Sequence, residues 1–252
     1  MRTLIAALIG FGSGIASGAF GIGGALLSTP GIRWALDAPA LIAVGTTLPV
    51  IIPTALTGLV AYVKDNLVDI RSAVVTAAAG GVFAIAGALV TQAVAGEALL
   101  ITTAALIFVL SLRMLPHRSG EVPHPRIRPT VPVLLVVGAI SGFVAGLLGV
   151  GGGVILVPVL TVLLRFPVKT ALGTSLAVVA AQAIPGTVTH AIIGNIDWAI
   201  AGGLVIGVVP GARIGSRLAV AAEDRKLRTV VAITMALMAI VFGITEIRAL
   251  DT

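Results

Sequence analysis

The sequence has no cysteine, one tyrosine and two tryptophans, and only 10% of its residues are charged. Without cysteine there can be neither disulfides nor thiolate metal sites. A soluble domain carries about 25% charged residues, so this chain cannot cover a soluble surface. That excludes a soluble enzyme, a nucleic-acid-binding module and a disordered protein. HExxH, GxSxG, Walker A and GxGxxG motifs are all missing. The 10 acidic residues fall in loops or at the ends of apolar stretches, so a buried carboxylate for a proton or sodium is lacking too. Backbone and hydroxyl oxygens could still bind Na⁺. No metal centre and no cofactor is expected.

What the chain does have is apolar length. Of its 252 residues 58% are hydrophobic and 31 are glycine, and the mean hydropathy is +1.16. A membrane-crossing helix needs about 20 apolar residues. Apolar stretches run over 3–32, 40–63, 73–95, 98–115, 131–164, 170–193, 198–218 and 227–247. The first and fifth are too long for one straight crossing, since thirty helical residues measure about 45 Å against a core of about 30 Å. Each contains a glycine cluster, Gly21-Ile22-Gly23-Gly24 or Gly149-Val150-Gly151-Gly152-Gly153. Glycine permits backbone turns that other residues resist, so each is expected to be two helical legs around a break. The N-terminal apolar run has no small-residue cleavage site and is expected to be retained. Residues 116–130, rich in proline and basic side chains, form a linker.

The chain also repeats itself at an offset of 128 residues. Gly10, Gly14, Gly18, Gly21, Gly23 and Gly24 fall on Gly138, Gly142, Gly146, Gly149, Gly151 and Gly152. Pro30 falls on Pro158, Pro39 on Pro167, Asp69 on Asp197, and Gly45-Thr46-Thr47-Leu48 on Gly173-Thr174-Ser175-Leu176. Matches of Pro, Thr and Asp argue for duplication over chance agreement of Gly/Ala-rich segments. Membrane transporters often contain such repeats, with the site between the halves.

Basic residues in short loops collect on the cytoplasmic side. If each long stretch crossed once, the 16 Lys and Arg residues would divide evenly between the two sides. If each is a hairpin, the halves are inverted. Lys64, Arg71, Arg113, Arg118, Arg126, Arg128, Arg165, Lys169, Arg213, Arg217, Arg225, Lys226 and Arg228 then share one side, against Arg2, Arg33 and Arg248. The expected architecture is therefore an all-α polytopic membrane protein of two inverted-topology repeats. Each repeat is a glycine-broken helical hairpin plus three transmembrane helices. The first spans 1–115, the linker 116–130 is cytoplasmic, and the second spans 131–252, with both termini outside.

Candidate site residues follow from the breaks. Non-helical backbone within a bilayer survives only when buried or facing a cavity, so equivalent breaks in inverted halves should meet near the centre. The leg after each break begins with free N–H groups and a positive dipole end, which attract anions. Gly21, Gly23 and Gly24 of one break and Gly149, Gly151, Gly152 and Gly153 of the other are thus candidates for binding a small oxyanion. Hydroxyls of Thr46, Thr47, Thr174 and Ser175 could donate to it, or to backbone within their own helices. Pro49, Pro53 and Pro185 should kink these spans. Gln182 lies near mid-span and needs a partner. Arg213 is an ionisable residue inside a span, able to pair with an anion or to snorkel to headgroups beside Arg217. His190 reads as interfacial, the other glycines spaced at four as packing ridges, and Asp69 and Asp197 as N-caps.

In Gly18-…-Gly21-Ile22-Gly23-Gly24-…-Pro30, Gly146-Leu147-Leu148-Gly149-Val150-Gly151-Gly152-Gly153-…-Pro158, Ala171-Leu172-Gly173-Thr174-Ser175-Leu176, Gly194-Asn195-Ile196-Asp197 and Gly211-Ala212-Arg213-Ile214-Gly215, the chain resembles the sulfite exporter TauE/SafE (TSUP) family of membrane permeases. The resemblance covers nearly the whole chain. It implies movement of sulfur-containing anions such as sulfite, thiosulfate or organosulfonates across the bacterial inner membrane, often outward. The first half departs from the pattern. Thr47 stands for the serine, Ala25 for the third glycine and Ile85 for the arginine, so only the second half could supply an arginine to the substrate. The expected partners are a small oxyanion, the lipid bilayer and a second copy of the chain. Rival readings are a passive anion channel and a non-transporting membrane assembly factor.

Overall fold

The computed structural model describes residues 2–91, 105, 108–109, 111–112, 129–149 and 151–250. The apolar stretch 98–115, Glu97 and all but the last two residues of the linker 116–130 lie largely or wholly outside that set. The described residues are helical, without strands. Six helices among them are long and apolar enough to cross a membrane.

Helix α1 (Arg2–Phe20) is followed by a break at Gly21–Gly24 and by α2 (Ala25–Ala35). Gly21, Gly23 and Gly24 have φ of 69, 77 and 87°, a left-handed backbone that residues with a Cβ avoid. The second leg folds back on the first. Ser13 lies against Ser28, a side chain at Gly24 would meet Ser13, Thr54 and Ser17, and one at Gly31 would meet Ile9. At 11 residues α2 is about 16 Å long, half a bilayer core.

Next come α3 (Ala40–Lys64) and α4 (Ile70–Val90). The second half repeats the plan with α5 (Val131–Leu148), the break at Gly149–Gly152, α6 (Gly153–Pro158), α7 (Val168–Ile193) and α8 (Trp198–Ala221). The last helix is α9 (Asp224–Leu250). After Pro158, which brings no N–H, the leg continues as a π-helical turn, Val159–Leu163. The N-cap expectation holds: Asp69 Oδ1 accepts from Ser72 N, and Asp197 Oδ1 from Ala199 N and Ile200 N.

The two halves pack by exchange. Helix α1 lies along α8 and α4 along α5, the two most extensive helix contacts. Side chains added at Gly10, Gly14 and Gly18 would strike the backbone of Leu204, Val208 and Ala212. At the equivalent Gly138, Gly142 and Gly146 they would strike Thr76, Gly80 and Ala84. Each set of partners is displaced by the same 128 residues. These glycines are packing ridges, as their spacing of four suggests.

The partners also give directions. Residue numbers rise together along α1 and α8, so these helices are parallel. Along α3 and α7 they run oppositely, Gly58 meeting Leu176 and Gly186 meeting Leu48. Helices α3 and α7 are equivalent in the repeat, yet they are antiparallel.

Candidate functional site

The two breaks meet at the centre of the molecule. Ile51 and its equivalent Val179 fill the space beside Gly23 and also that beside Gly151. The position of a Cβ on Gly153 lies 2.5 Å from Gly21 O and 2.7 Å from Ile22 Cα. Gly149 and Gly151 have φ of 61 and 71°, and Gly152 is the N-cap of α6. Neither α2 nor α6 has a side-chain cap. The free N–H groups of their first turns are thus left to other partners.

The hydroxyl candidates hold these breaks in place. Thr47 Oγ1 donates to Gly149 O at 2.8 Å, and Ser175 Oγ donates to Gly21 O at 2.8 Å. Each hydroxyl reaches from one half to the break of the other. Thr47 also lies 2.8 Å from Val44 O in its own helix. Thr46 Oγ1 accepts from Asp197 N, and Thr174 Oγ1 from Asp69 N, both at 2.9 Å. All four side chains are buried. A net hydrogen bond contributes about 0.5–1.5 kcal/mol, but a buried carbonyl left unpaired costs about 1–3 kcal/mol.

The helix ends before the breaks are held likewise. Tyr62 Oη donates to Gly18 O at 2.9 Å, and the equivalent His190 Nε2 lies 3.0 Å from Gly146 O. His190 is fully buried, so the expectation of an interfacial histidine is corrected. The repeat places it where Tyr62 sits, inside the protein and one turn from the end of α7.

Gln182 Nε2 donates to Ser141 Oγ at 3.1 Å. Its Oε1 is buried without a hydrogen-bond partner and lies 2.7 Å from where a Cβ on Gly152 would be. Thus Gln182 does sit at a break.

Arg213 does not. It is exposed on α8 and lines a groove of about 770 Å³ between the second halves of α3 and α8. Thr57, Lys64 and Asp65 stand on the α3 wall, and Arg213, Ser216 and Arg217 on the α8 wall. Three cations face one carboxylate, a field that attracts anions. Thr57 of this lining precedes Gly58, whose Cβ position lies 3.4 Å from Gly18 Cα. At the offset of 128, Lys64, Arg213 and Arg217 correspond to Ile192, Ile85 and Leu89. The matching surface of the other half is therefore apolar.

Sequence reasoning missed Lys64 and Ser216 as companions of Arg213. The i, i+4 spacing of Arg213 and Arg217 was visible, but the pairing of α3 with α8 was not. Among the described residues no group of three His, Cys, Asp or Glu is arranged to hold a metal.

A family model described as "Sulfite exporter TauE/SafE" matches residues 6–242. Similar curated proteins include the probable membrane transporter protein YunE of Bacillus subtilis, 28% identical over 91% of each chain. A probable membrane transporter protein of Xylella fastidiosa is 31% identical over 84% of this chain and 81% of its own length. The probable membrane transporter protein YfcA of Escherichia coli is 26% identical over 93% and 85%. No solved structure matches the chain.

Proposed function

This chain belongs to the sulfite exporter TauE/SafE family of membrane transporters, and from that premise we propose that it carries small sulfur-containing oxyanions, such as sulfite, thiosulfate or an organosulfonate, outward across the bacterial inner membrane. The observation that carries the reading is the pair of uncapped glycine breaks, joined at the centre of two reciprocally packed halves, with a cationic groove between α3 and α8.

The antiparallel run of equivalent α3 and α7 supports inverted insertion of the two halves. The charge distribution supports the same orientation, with both termini outside and residues 116–130 joining repeats 1–115 and 131–252 in the cytoplasm. Lys64, Arg213 and Arg217 then gather an anion at the cytoplasmic end of α3 and α8. Beyond the groove, the anion meets the N–H groups that begin α2 and α6, at Gly21, Gly23 and Gly24 and at Gly149, Gly151, Gly152 and Gly153. Gln182 lines that place. Thr46, Thr47, Thr174 and Ser175 act from behind, by fixing the breaks.

Rocking of the halves about their shared axis gives alternating access. The absence of cations from the matching apolar surface favours release outside, because an anion there meets no comparable attraction.

Reconstituted protein should show saturable flux of sulfite, thiosulfate or a sulfonate, with counterflow of labelled against unlabelled substrate. Saturable flux without counterflow, or fast unsaturating conductance, would identify a channel. No oxyanion flux under any gradient would overturn the transport reading and leave a membrane assembly factor.

A further inference from the structure

The two breaks differ in what faces them. At the first, the Thr54 methyl lies 3.3 Å from the place of a Gly24 Cβ, and the Thr54 hydroxyl donates back to Val50 O. At the second, the equivalent residue is Gln182, whose Oε1 lies 2.7 Å from the place of a Gly152 Cβ. The exchange is compensated in volume. Val208 in one half corresponds to Gly80 in the other, and the Gln182 amide stands where a side chain on Gly80 would be. A longer polar side chain is thus fitted at one break only, with room made for it.

The neighbours fix which way the amide points. Ser141 Oγ donates to Gly138 O at 3.1 Å, because a carbonyl can only accept. The hydroxyl has a single hydrogen, so its 3.1 Å contact with Gln182 is a donation by Nε2. Oε1 is therefore the atom turned to the break. It is buried without a hydrogen-bond partner, on a side chain 1% exposed. Buried acceptors are nearly always paired. Gly152 brings no side chain, so the missing donor is left to what the break receives.

We propose that Gln182 Oε1 accepts a hydrogen bond from the transported anion, so that the site selects a hydrogen-bearing monoanion, hydrogensulfite, over proton-free oxyanions such as the sulfite dianion and thiosulfate. The proposal rests on the oxyanion reading above and narrows its substrate. The backbone N–H groups of the breaks attract any oxyanion. They do not reward a substrate hydrogen, because an N–H only donates. An amide oxygen does. It gains a bond from a hydrogen-bearing anion, whereas a bare oxyanion leaves it unpaired and repels it. Sites built to bond a substrate hydrogen reject analogues that lack it.

The test is calorimetric binding of sulfite, thiosulfate and methanesulfonate to the purified full chain, with air excluded, from mildly acidic to mildly alkaline pH. Sulfite passes from monoanion to dianion across this range, whereas the other two stay ionised. Methanesulfonate is a monoanion without a donor and so separates charge from hydrogen. The half-saturating total sulfite concentration should rise with pH beyond any change for thiosulfate, which reports titration of the protein itself. Of the elements around this amide, α5 and α6 bear no titratable side chain. Arg71 lies in the first turn of α4, Lys169 in the first and His190 in the last turn of α7, and Tyr62 and Lys64 in the last turn of α3. All stand at helix ends, whereas Gln182 is mid-span.

Gln182→Met keeps the length of the side chain without the acceptor. It should raise the half-saturating hydrogensulfite concentration about three- to tenfold, leave thiosulfate and methanesulfonate no weaker, and reduce the excess pH dependence. Thr54→Val, at the other break, should change none of these. Should Gln182→Met fail to fold, Gly80→Ala, which displaces the amide, gives the same comparison, and the wild-type pH profile stands by itself. Equal pH dependence for sulfite and thiosulfate, or unchanged selectivity in Gln182→Met, overturns the proposal and leaves oxyanion transport standing. A preference for bare oxyanions that Gln182→Met abolishes also overturns it, by showing that the amide presents Nε2 to the site. Binding of no oxyanion at all overturns it together with the transport reading.

Discussion

Thr47→Val isolates the clip between one half and the break of the other. Valine nearly matches threonine in shape, so the change opens little cavity. What it removes is the 2.8 Å donation to Gly149 O, in a residue that is 0% exposed. Gly149 O then lacks the hydroxyl donor, and water has no easy way in. The expected cost is the desolvation of an unpaired carbonyl, about 1–3 kcal/mol. At about 2 kcal/mol the folded-to-unfolded ratio falls roughly 30-fold, since each 1.4 kcal/mol is a factor of ten. The neighbouring Val44 O contributes little, because it is a helix carbonyl with a backbone partner of its own. Thr54→Val is the control. Its hydroxyl bonds only Val50 O within the same helix, a back-bond whose loss should cost less than about 0.5 kcal/mol. Denaturant unfolding in detergent micelles measures both, and flux in liposomes reads the effect on the breaks. Thr47→Ser should recover most of the loss. Ser175→Ala, the equivalent change on Gly21 O, should cost a similar amount. If Thr47→Val costs no more than Thr54→Val and leaves flux intact, the hydroxyls do not hold the breaks and the argument fails.

Other expectations follow from the same packing. Gly142→Ala puts a methyl onto the backbone of Gly80, whereas Gly12→Ala meets nothing within 4 Å. Unfolding measurements should show at least about 1–3 kcal/mol of overpacking for the first and under about 0.5 kcal/mol for the second. Arg213→Gln with Arg217→Gln should raise the half-saturating oxyanion concentration about three- to tenfold with the fold intact. The effect is held to that range because both side chains are exposed and solvent screens them; an unchanged value in transport assays would remove the groove from the path. Ile70 and Trp198 are equivalent, exposed positions at the starts of α4 and α8, and the chain has no native cysteine. In whole cells and inverted vesicles, Ile70→Cys should react with an impermeant maleimide from the cytoplasm and Trp198→Cys from outside. Reaction from one common side would refute inverted insertion.

Much of this fold is legible in the sequence because its determinants are periodic and local. Apolar length marks α3, α7 and α8 to within about three residues, and surplus length around a glycine cluster marks both broken hairpins. The offset of 128 foretells which residues will be equivalent. It cannot foretell what they touch, because equivalence says nothing about packing partners. The exchange of α1 onto α8 and of α5 onto α4 therefore lies beyond it. So does the answer for Thr47 and Ser175, whose hydroxyls reach the opposite break, Thr47 while also contacting Val44 O in its own helix. The burial of His190 was obscured for another reason. One ionisable residue near the end of a span reads as interfacial, and only its equivalence to Tyr62, bonded to the equivalent carbonyl, reveals an interior position.

The matches and the departures of the repeat divide the labour between fold and function. Gly10, Gly14, Gly18 and Gly87 match Gly138, Gly142, Gly146 and Gly215 because each methyl added would strike backbone, and backbone yields only by moving a whole helix. Thr46 with Thr174, and Asp69 with Asp197, match because each pair closes the same loop-to-helix contact twice. Under the inverted insertion proposed above, a perfectly matched pair of halves would present the same surface to both sides of the membrane, so it would bind an anion equally well from either. The departures remove that equality. Lys64, Arg213 and Arg217 face Ile192, Ile85 and Leu89 across the repeat, and Ser17 faces Ala145. The first three make one groove cationic where its counterpart in the other half is apolar, and the fourth leaves one break a buried hydroxyl without a hydrogen-bond partner. Asymmetry alone does not set the direction of net flux, which follows the gradients of substrate and coupling ion. It sets the relative affinity of the two faces. If the groove feeds the site, half-saturation should occur at lower oxyanion concentration on the face carrying Lys64 than on the other, and converting Arg213 and Arg217 to their counterparts, isoleucine and leucine, should bring the two values together.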